Sequence, residues 1–177
     1  ITAHDTGAKV LLLEKAPAGE EGGSFRVSGN LWFNPMPVDR AIIYLNAMSG
    51  AYTIPQDMVR VWAEEMGKNA DWIRDLGGNP VESRLCSPEF AGLQGDDCAH
   101  TYTNGPGRPP AGIGHEQLWK FLKGCVAERG IEVLCATPGK RLIQNPETRD
   151  ILGVGAEHDG KDVNIKAKRA VVLTCGG

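Results

Sequence analysis

The stretch Lys9-Val10-Leu11-Leu12-Leu13-Glu14-Lys15 decides how the rest of the 177-residue sequence is read. Four apolar residues run unbroken and an acid ends the run. A continuous apolar run of this length is the pattern of a short parallel strand covered on both faces. Gly7, just upstream, suits the end of a helix, because it takes the left-handed conformation without steric cost. Ile1–Gly7 is therefore predicted as the tail of a helix feeding a strand over Lys9–Glu14. Glu14 then stands at the strand's carboxyl end, where open α/β sheets bind ligands. An acid at that place accepts hydrogen bonds from the ribose hydroxyls of a dinucleotide. An ordinary acid at a strand end looks the same.

The next stretch, APAGEEGGSFRVSGN, bears on the choice. Gly22, Gly23 and Gly29 leave backbone amides open to close approach by a phosphate-bearing ligand, and Ser24 and Ser28 add hydroxyl donors. Beyond it, Val38, Ala41, Ile42, Leu45 and Met48 recur at helical spacing, with Gly50 as the stop. Thr53 and Gln56 have the spacing of a capping box for a second helix that carries Met58, Trp62 and Met66 on one face. Asn69 is predicted to cap a third, with Trp72, Ile73 and Leu76, closed by Gly77 and Gly78. Arg84–Gly114 shows no sustained period and reads as a long loop. His100, Tyr102 and Arg108 lie in it, a set of side chains suited to a carboxylate or ketone.

His115–Arg129 is helical again, with Leu118, Phe121 or Leu122, and Cys125 on one face, and it delivers a strand over Ile131–Cys135. Lys140–Ile143, Ile151–Glu157 and Val163–Ala167 read as an antiparallel meander, with Asp159-Gly160 as a hairpin signal. Ala170–Leu173 is predicted as a last buried strand running into Thr174-Cys175-Gly176-Gly177. Lys9–Glu14, Ile131–Cys135 and Ala170–Leu173 are expected to be neighbouring parallel strands, with helices between them.

A net charge of −3 and scattered Lys and Arg give no electrostatic case for nucleic acid or an anionic membrane. A hydrophobic fraction of 41% is that of a globular domain, and no apolar run approaches the ~20 residues of a membrane span. Ile1–Val10 has no signal-peptide core. Cys86, Cys98, Cys125, Cys135 and Cys175 form no C-x-x-C pair. They argue against a zinc site or a disulfide framework, for a reducing compartment, and for thiols acting as small buried hydrophobes. A cytoplasmic protein is expected.

The segments GAKVLLLEKAPAGEEGGSFRVSGN, GHEQLW, RGIEVLCATPGKRLI and KAKRAVVLTCGG, in this order, resemble the FAD-binding part of the fumarate reductase/succinate dehydrogenase flavoprotein family, including its 3-ketosteroid dehydrogenase-like members. The resemblance implies a partial Rossmann-like α/β fold with parallel strands, an antiparallel β-meander and a helical insertion. It divides the chain into an incomplete FAD-binding domain, 1–37 with 115–177, and a helical or loop insertion, 38–114. It implies that the sequence starts inside the helix that follows the family's G-x-G-x-x-G turn, as an internal part of a longer flavoprotein. FAD is the implied cofactor, no metal is implied, and the implied substrate is a dicarboxylate or ketosteroid.

By the same resemblance Glu14 would hold the adenosine ribose, with Lys15 and Ala16 beside it. Gly22, Gly23 and Ser24 would approach the pyrophosphate and ribityl chain, and Ser28 and Gly29 would lie near the isoalloxazine. The backbone at Pro138 and Gly139 would meet the adenine, and Thr174, Cys175 and Gly176 would line the ADP half. Asn30 stands where the family has another Gly, Phe25 where it has a small residue, and Gly139 where Ala is commoner. The catalytic acid or base stays unassigned, with His100, Tyr102 and Arg108 as the local candidates. This chain alone is expected to hold FAD weakly or not at all, to turn over no substrate, and to have an unfilled slot in its sheet that closes by collapse or by pairing with another chain. A non-catalytic binding module on the same fold, or the NAD-binding domain of another α/β enzyme, is the alternative.

Overall fold

The structure, a computed structural model, describes residues 1–27, 31–83, 88, 90–105 and 117–176. The elements of the first half are α1 (Thr2–Asp5), β1 (Leu11–Leu13), α2 (Gly23–Val27), β2 (Leu31–Phe33), α3 (Val38–Ser49), α4 (Gln56–Met66), α5 (Asn69–Asp75) and β3 (Pro80–Ser83). They are followed by β4 (Thr101–Asn104), α6 (Gln117–Glu128), β5 (Glu132–Leu134), β6 (Gly139–Gln144), β7 (Ile151–His158) and β8 (Lys161–Lys166). Two compact units result, one of Ile1–Gly23 with Val126–Gly177 and one of Ser24–Cys125.

In the first unit β1 and β5 pair in parallel, Leu11 opposite Glu132 and Leu13 opposite Leu134, as the two apolar runs predict. The ladder continues past both strands: Glu14 N donates to Leu134 O (2.9 Å) and Thr137 N to Glu14 O (2.8 Å). Gly7, at φ 86°, ends α1, its N–H donating to His4 O. The expectation of cover on both faces fails. Leu12 and its partner Val133 are each 40% exposed.

The expected strand Ala170–Leu173 is not formed either. Val172 and Leu173 are 77% and 66% exposed, and no ladder joins this run to β1 or β5. A strand exists only through its inter-strand hydrogen bonds, and this run has no ladder partner among the described residues.

The meander forms as the pattern predicts, in the order β6-β7-β8. His158 faces Lys161 across Asp159 (φ 49°) and Gly160 (φ 69°), both left-handed, the two-residue turn that an Asp-Gly pair favours. Val163, Ile165 and Ala167 are half-buried and Lys166 and Lys168 exposed, the predicted alternation.

Asp5 ties α1 to the residue after α6. Arg129 Nε and Nη2 donate to the two Asp5 carboxylate oxygens at 2.7 and 2.9 Å. This fork, with His4 second, pulls the Asp5 carboxyl down from 3.8 to about 2. A carboxyl depressed on folding contributes stability at pH above its unfolded value and loses it as pH falls through the folded one. Asp5→Asn is therefore expected to lower the melting temperature at pH 7 and to flatten its fall between pH 4 and pH 2. Parallel acid limbs for the two proteins would show that the pair contributes nothing.

The second unit is built on an antiparallel sheet in the order β2-β4-β3, packed by α3, α4 and α5. The loop expected over Arg84–Gly114 thus holds the sheet's central strand, Thr101–Asn104, within its described part. Ala41, Tyr44, Ala63, Cys98 and Ala99 form the core, with Phe33, Trp62 and Leu93 against them. Burial, with Asp97 next to it, pushes the Cys98 thiol up to about 11, so this thiol is inert.

The helix starts differ from the sequence reading in two places. No side chain caps α4 at its start, and Gln56 instead donates to Ile54 O and Asn46 Oδ1. Asn69 lies inside α5, whose Ala70 N–H is taken by the distant Asn34 Oδ1 at 2.8 Å. The buried stripe of α4 is Val59 and Ala63 rather than Met58, which is 60% exposed.

Candidate functional site

The carboxyl ends of β1 and β5 carry two loops that are hydrogen-bonded to each other. Ala136 N donates to Ala16 O at 2.8 Å, beside the Thr137 N to Glu14 O bond. Between these loops the half-buried Glu14 carboxylate takes one backbone N–H on each oxygen, Ala16 N on Oε1 (2.8 Å) and Gly22 N on Oε2 (3.3 Å). A carboxylate has about four acceptor positions, so among the described residues each oxygen keeps one position for a further donor. Two donors side by side is what the vicinal hydroxyls of a ribose present.

The glycines around Glu14 are open. Gly19, Gly22 and Gly23 have φ of 92°, 110° and 47°, and a Cβ added at Gly19 or Gly23 would meet nothing within 4 Å. These residues therefore fit a phosphate-bearing dinucleotide: free acceptors for ribose and exposed backbone for the pyrophosphate. Gly23 and Ser24 open the short helix α2, so the Gly-rich run does not stay a loop to its end. Lys15 is exposed. Ser28 and Gly29, like Arg108, lie outside the described residues.

Pro138 and Gly139 follow Thr137 next to Glu14, and Pro138 O accepts from Glu157 N at 3.1 Å. Thr174, Cys175 and Gly176 are exposed and, among the described residues, hydrogen-bond to nothing in the Glu14 cluster. Glu21, Thr137 and His158 belong to this region and were missed from the sequence. The buried Glu21 accepts from Gly19 N (2.5 Å). Its only signal was an acid within a Gly-rich run. Thr137 and His158 gave none.

In the second unit, β4 places Tyr102 opposite both Trp32 of β2 and Glu82 of β3. The Trp32 and Tyr102 rings stack 6.2 Å apart, and His100 Nδ1 lies 2.9 Å from Glu82 Oε1. Three strands and the residue before β4 thus carry an aromatic pair, an imidazole and a carboxylate. Trp32 Nε1 is buried without a partner among the described residues. Also among the described residues, no group of three His, Cys, Asp or Glu could hold a metal ion, and no helix is long and apolar enough to cross a membrane.

The fold is that of known flavoproteins. A 3-ketosteroid Δ1-dehydrogenase from Sterolibacterium denitrificans, solved with 1,4-androstadiene-3,17-dione, superposes with a TM-score of 0.85 at 17% identity, over 99% of this chain and 44% of its own. A 3-ketosteroid-Δ4-(5α)-dehydrogenase from Rhodococcus jostii RHA1, solved with 4-androstene-3,17-dione, gives 0.68 at 18% identity, over 97% and 41%. The open conformation of a flavocytochrome c3 fumarate reductase gives 0.65 at 21% identity, over 94% and 29%. The chain spans less than half the length of each. With the family model described as "FAD binding domain" matching residues 1–177, the chain belongs to that FAD-binding domain family.

Proposed function

We propose that this chain is the dinucleotide-holding part of an FAD-dependent oxidoreductase that acts on a C–C or C=C bond. The observation that carries the reading is the Glu14 carboxylate, set at the end of β1 with one acceptor position left on each oxygen. When bound, FAD supplies hydride transfer to or from one carbon of the bond. Glu14 orients the adenosine through its ribose, the Gly22–Gly23 backbone meets the pyrophosphate, and Ala136–Gly139 face the adenine.

The proton on the neighbouring carbon needs an acid or base, for which His100 and Tyr102 are the candidates. An ionised Glu82 only accepts, so it holds the proton on His100 Nδ1 and leaves Nε2 as the basic nitrogen. Tyr102 presents a phenol two residues on from His100, in β4. The flat Trp32–Tyr102 pair suits a fused-ring ketosteroid better than a small dicarboxylate, and the two ketosteroid dehydrogenases among the structural relatives support that choice.

The chain alone is proposed to bind FAD weakly and to turn over no substrate. The 177 residues contain no G-x-G-x-x-G run, the turn that in such folds sets the oriented amides of a helix N-terminus against the pyrophosphate. Titration of the purified chain with FAD, followed in the flavin band, is expected to saturate with a Kd weaker than about 1 µM. A submicromolar Kd would show the weak-binding clause wrong. No saturation at millimolar FAD would sink the dinucleotide reading.

A further inference from the structure

The loop that joins β5 to β6 is held in a conformation it would not adopt unaided. Ala136 sits at φ 49°, left-handed for a residue with a Cβ. Two backbone bonds anchor it to the loop after β1, through Ala16 O and Glu14 O. A third anchor comes from the meander. The Thr137 side chain is fully buried, its Oγ1 donates to Cys135 O at 2.9 Å, and the same Oγ1 lies 2.7 Å from His158 Nδ1.

A hydroxyl has one proton. With that proton on Cys135 O, the His158 contact is a hydrogen bond only if Nδ1 carries a proton and donates. In that arrangement the neutral imidazole is the Nδ1–H tautomer, and Nε2 lies 3.6 Å from Asp159 Oδ2, too far for a hydrogen bond. His158, at the end of β7, therefore reaches the backbone of Glu14 through a single intermediate residue, Thr137, whose N–H donates to Glu14 O.

We infer that His158 is a positioning residue for the nucleotide: by donating from Nδ1 to Thr137 it locks the loop after β5 against the loop after β1, and so sets the affinity for the adenosine half of a dinucleotide. The inference rests on the dinucleotide reading of the Glu14 site and adds a residue outside that site's loops. A nucleotide lying across the carboxyl ends of β1 and β5 must contact both loops, so slack between them weakens its hold on base and ribose together.

The probe is ADP, titrated by calorimetry or by amide shifts into the 177-residue chain. His158→Ala and Thr137→Val are each expected to weaken ADP binding about tenfold, the loss of one ordering hydrogen bond. His158→Asn, whose amide nitrogen can take the place of Nδ1, and Thr137→Ser should stay within about threefold of the unaltered chain. Melting temperatures should move by no more than about 2 °C, which separates positioning from a general loss of fold. Imidazole nitrogen shifts at pH 8 should show Nδ1 protonated in His158.

An Nε2–H tautomer, or ADP binding unchanged in His158→Ala, would overturn the inference alone. A matching loss of melting temperature and of affinity in His158→Ala that His158→Asn does not rescue would also overturn it. Absence of saturable ADP and FAD binding by the unaltered chain would overturn it together with the dinucleotide reading.

Discussion

Gly153→Val is expected to destabilise the meander by about 4 kcal/mol, at the upper end of what overpacking does. Strand propensity alone argues the other way, since valine is among the best strand formers and glycine among the worst, a difference of about 1 kcal/mol. The geometry decides the sign. Gly153 is buried in the central strand β7, opposite Ile143 of β6 and Lys166 of β8. A Cβ there would run into the Ile165 carbonyl oxygen, with Ile165 C at 3.0 Å and Lys166 Cα at 3.1 Å. All three atoms are backbone, so no rotamer change relieves the clash, and β8 must detach or shift.

Gly124→Ala is the control. Gly124 lies inside α6 with nothing within 4 Å of an added Cβ, so relief of helix-breaking glycine should stabilise by about 0.5–1 kcal/mol. Urea unfolding, with hydrogen exchange at the Asn164 and Ile165 amides, separates the outcomes. A Gly153→Val midpoint within about 0.5 kcal/mol of the unaltered chain would refute the clash.

Such a contact cannot be read from a sequence, and it marks where sequence reading stopped. The features legible in advance were those carried by local chemistry. The Asp159-Gly160 turn, the alternation through Val163, Ile165 and Ala167, and the apolar runs of β1 and β5 all follow from two or more neighbouring residues. Glu14 was legible because a strand end and an acid coincide. What failed depended on distant partners. Ala170–Leu173 has the composition of a strand but no ladder to join. Thr101-Tyr102-Thr103-Asn104 carries no apolar run, yet it is the centre of a sheet, with Thr101 and Thr103 on the buried side and Tyr102 on the other. The local capping patterns at Thr53 and Asn69 lost to side chains from elsewhere in the chain. His158 entered the candidate site only because β7 returns beside the loop after β5.

Asn34→Leu is expected to cost about 3 kcal/mol, and Asn34→Asp about 2 kcal/mol, in the stability of the second unit. Asn34 is 5% exposed at the end of β2, and its amide reaches two helices at once. Oδ1 accepts from Ala70 N in the first turn of α5 (2.8 Å), and Nδ2 donates to Gly67 O after α4 (3.1 Å). Leucine matches the branching but not the polarity, and leaves both backbone groups without partners, each at about 1–3 kcal/mol when buried. Aspartate keeps the acceptor for Ala70, and its charge is favoured at a helix start. It also sets a second oxygen against Gly67 O, which is why the substitution still destabilises. Equilibrium unfolding followed by tryptophan fluorescence reports the change, since Trp32, Trp62 and Trp72 all lie in this unit. The order of the two variants is the sharper test: Asp less stable than Leu would mean that the Gly67 bond, not the α5 cap, dominates. The same residue donates its own N–H to His100 O at 2.8 Å. Loosening Asn34 therefore frees the start of β4, and with it the His100–Glu82 pair beside Tyr102, so a loss of stability here is also a loss of order in the proposed proton-transfer cluster.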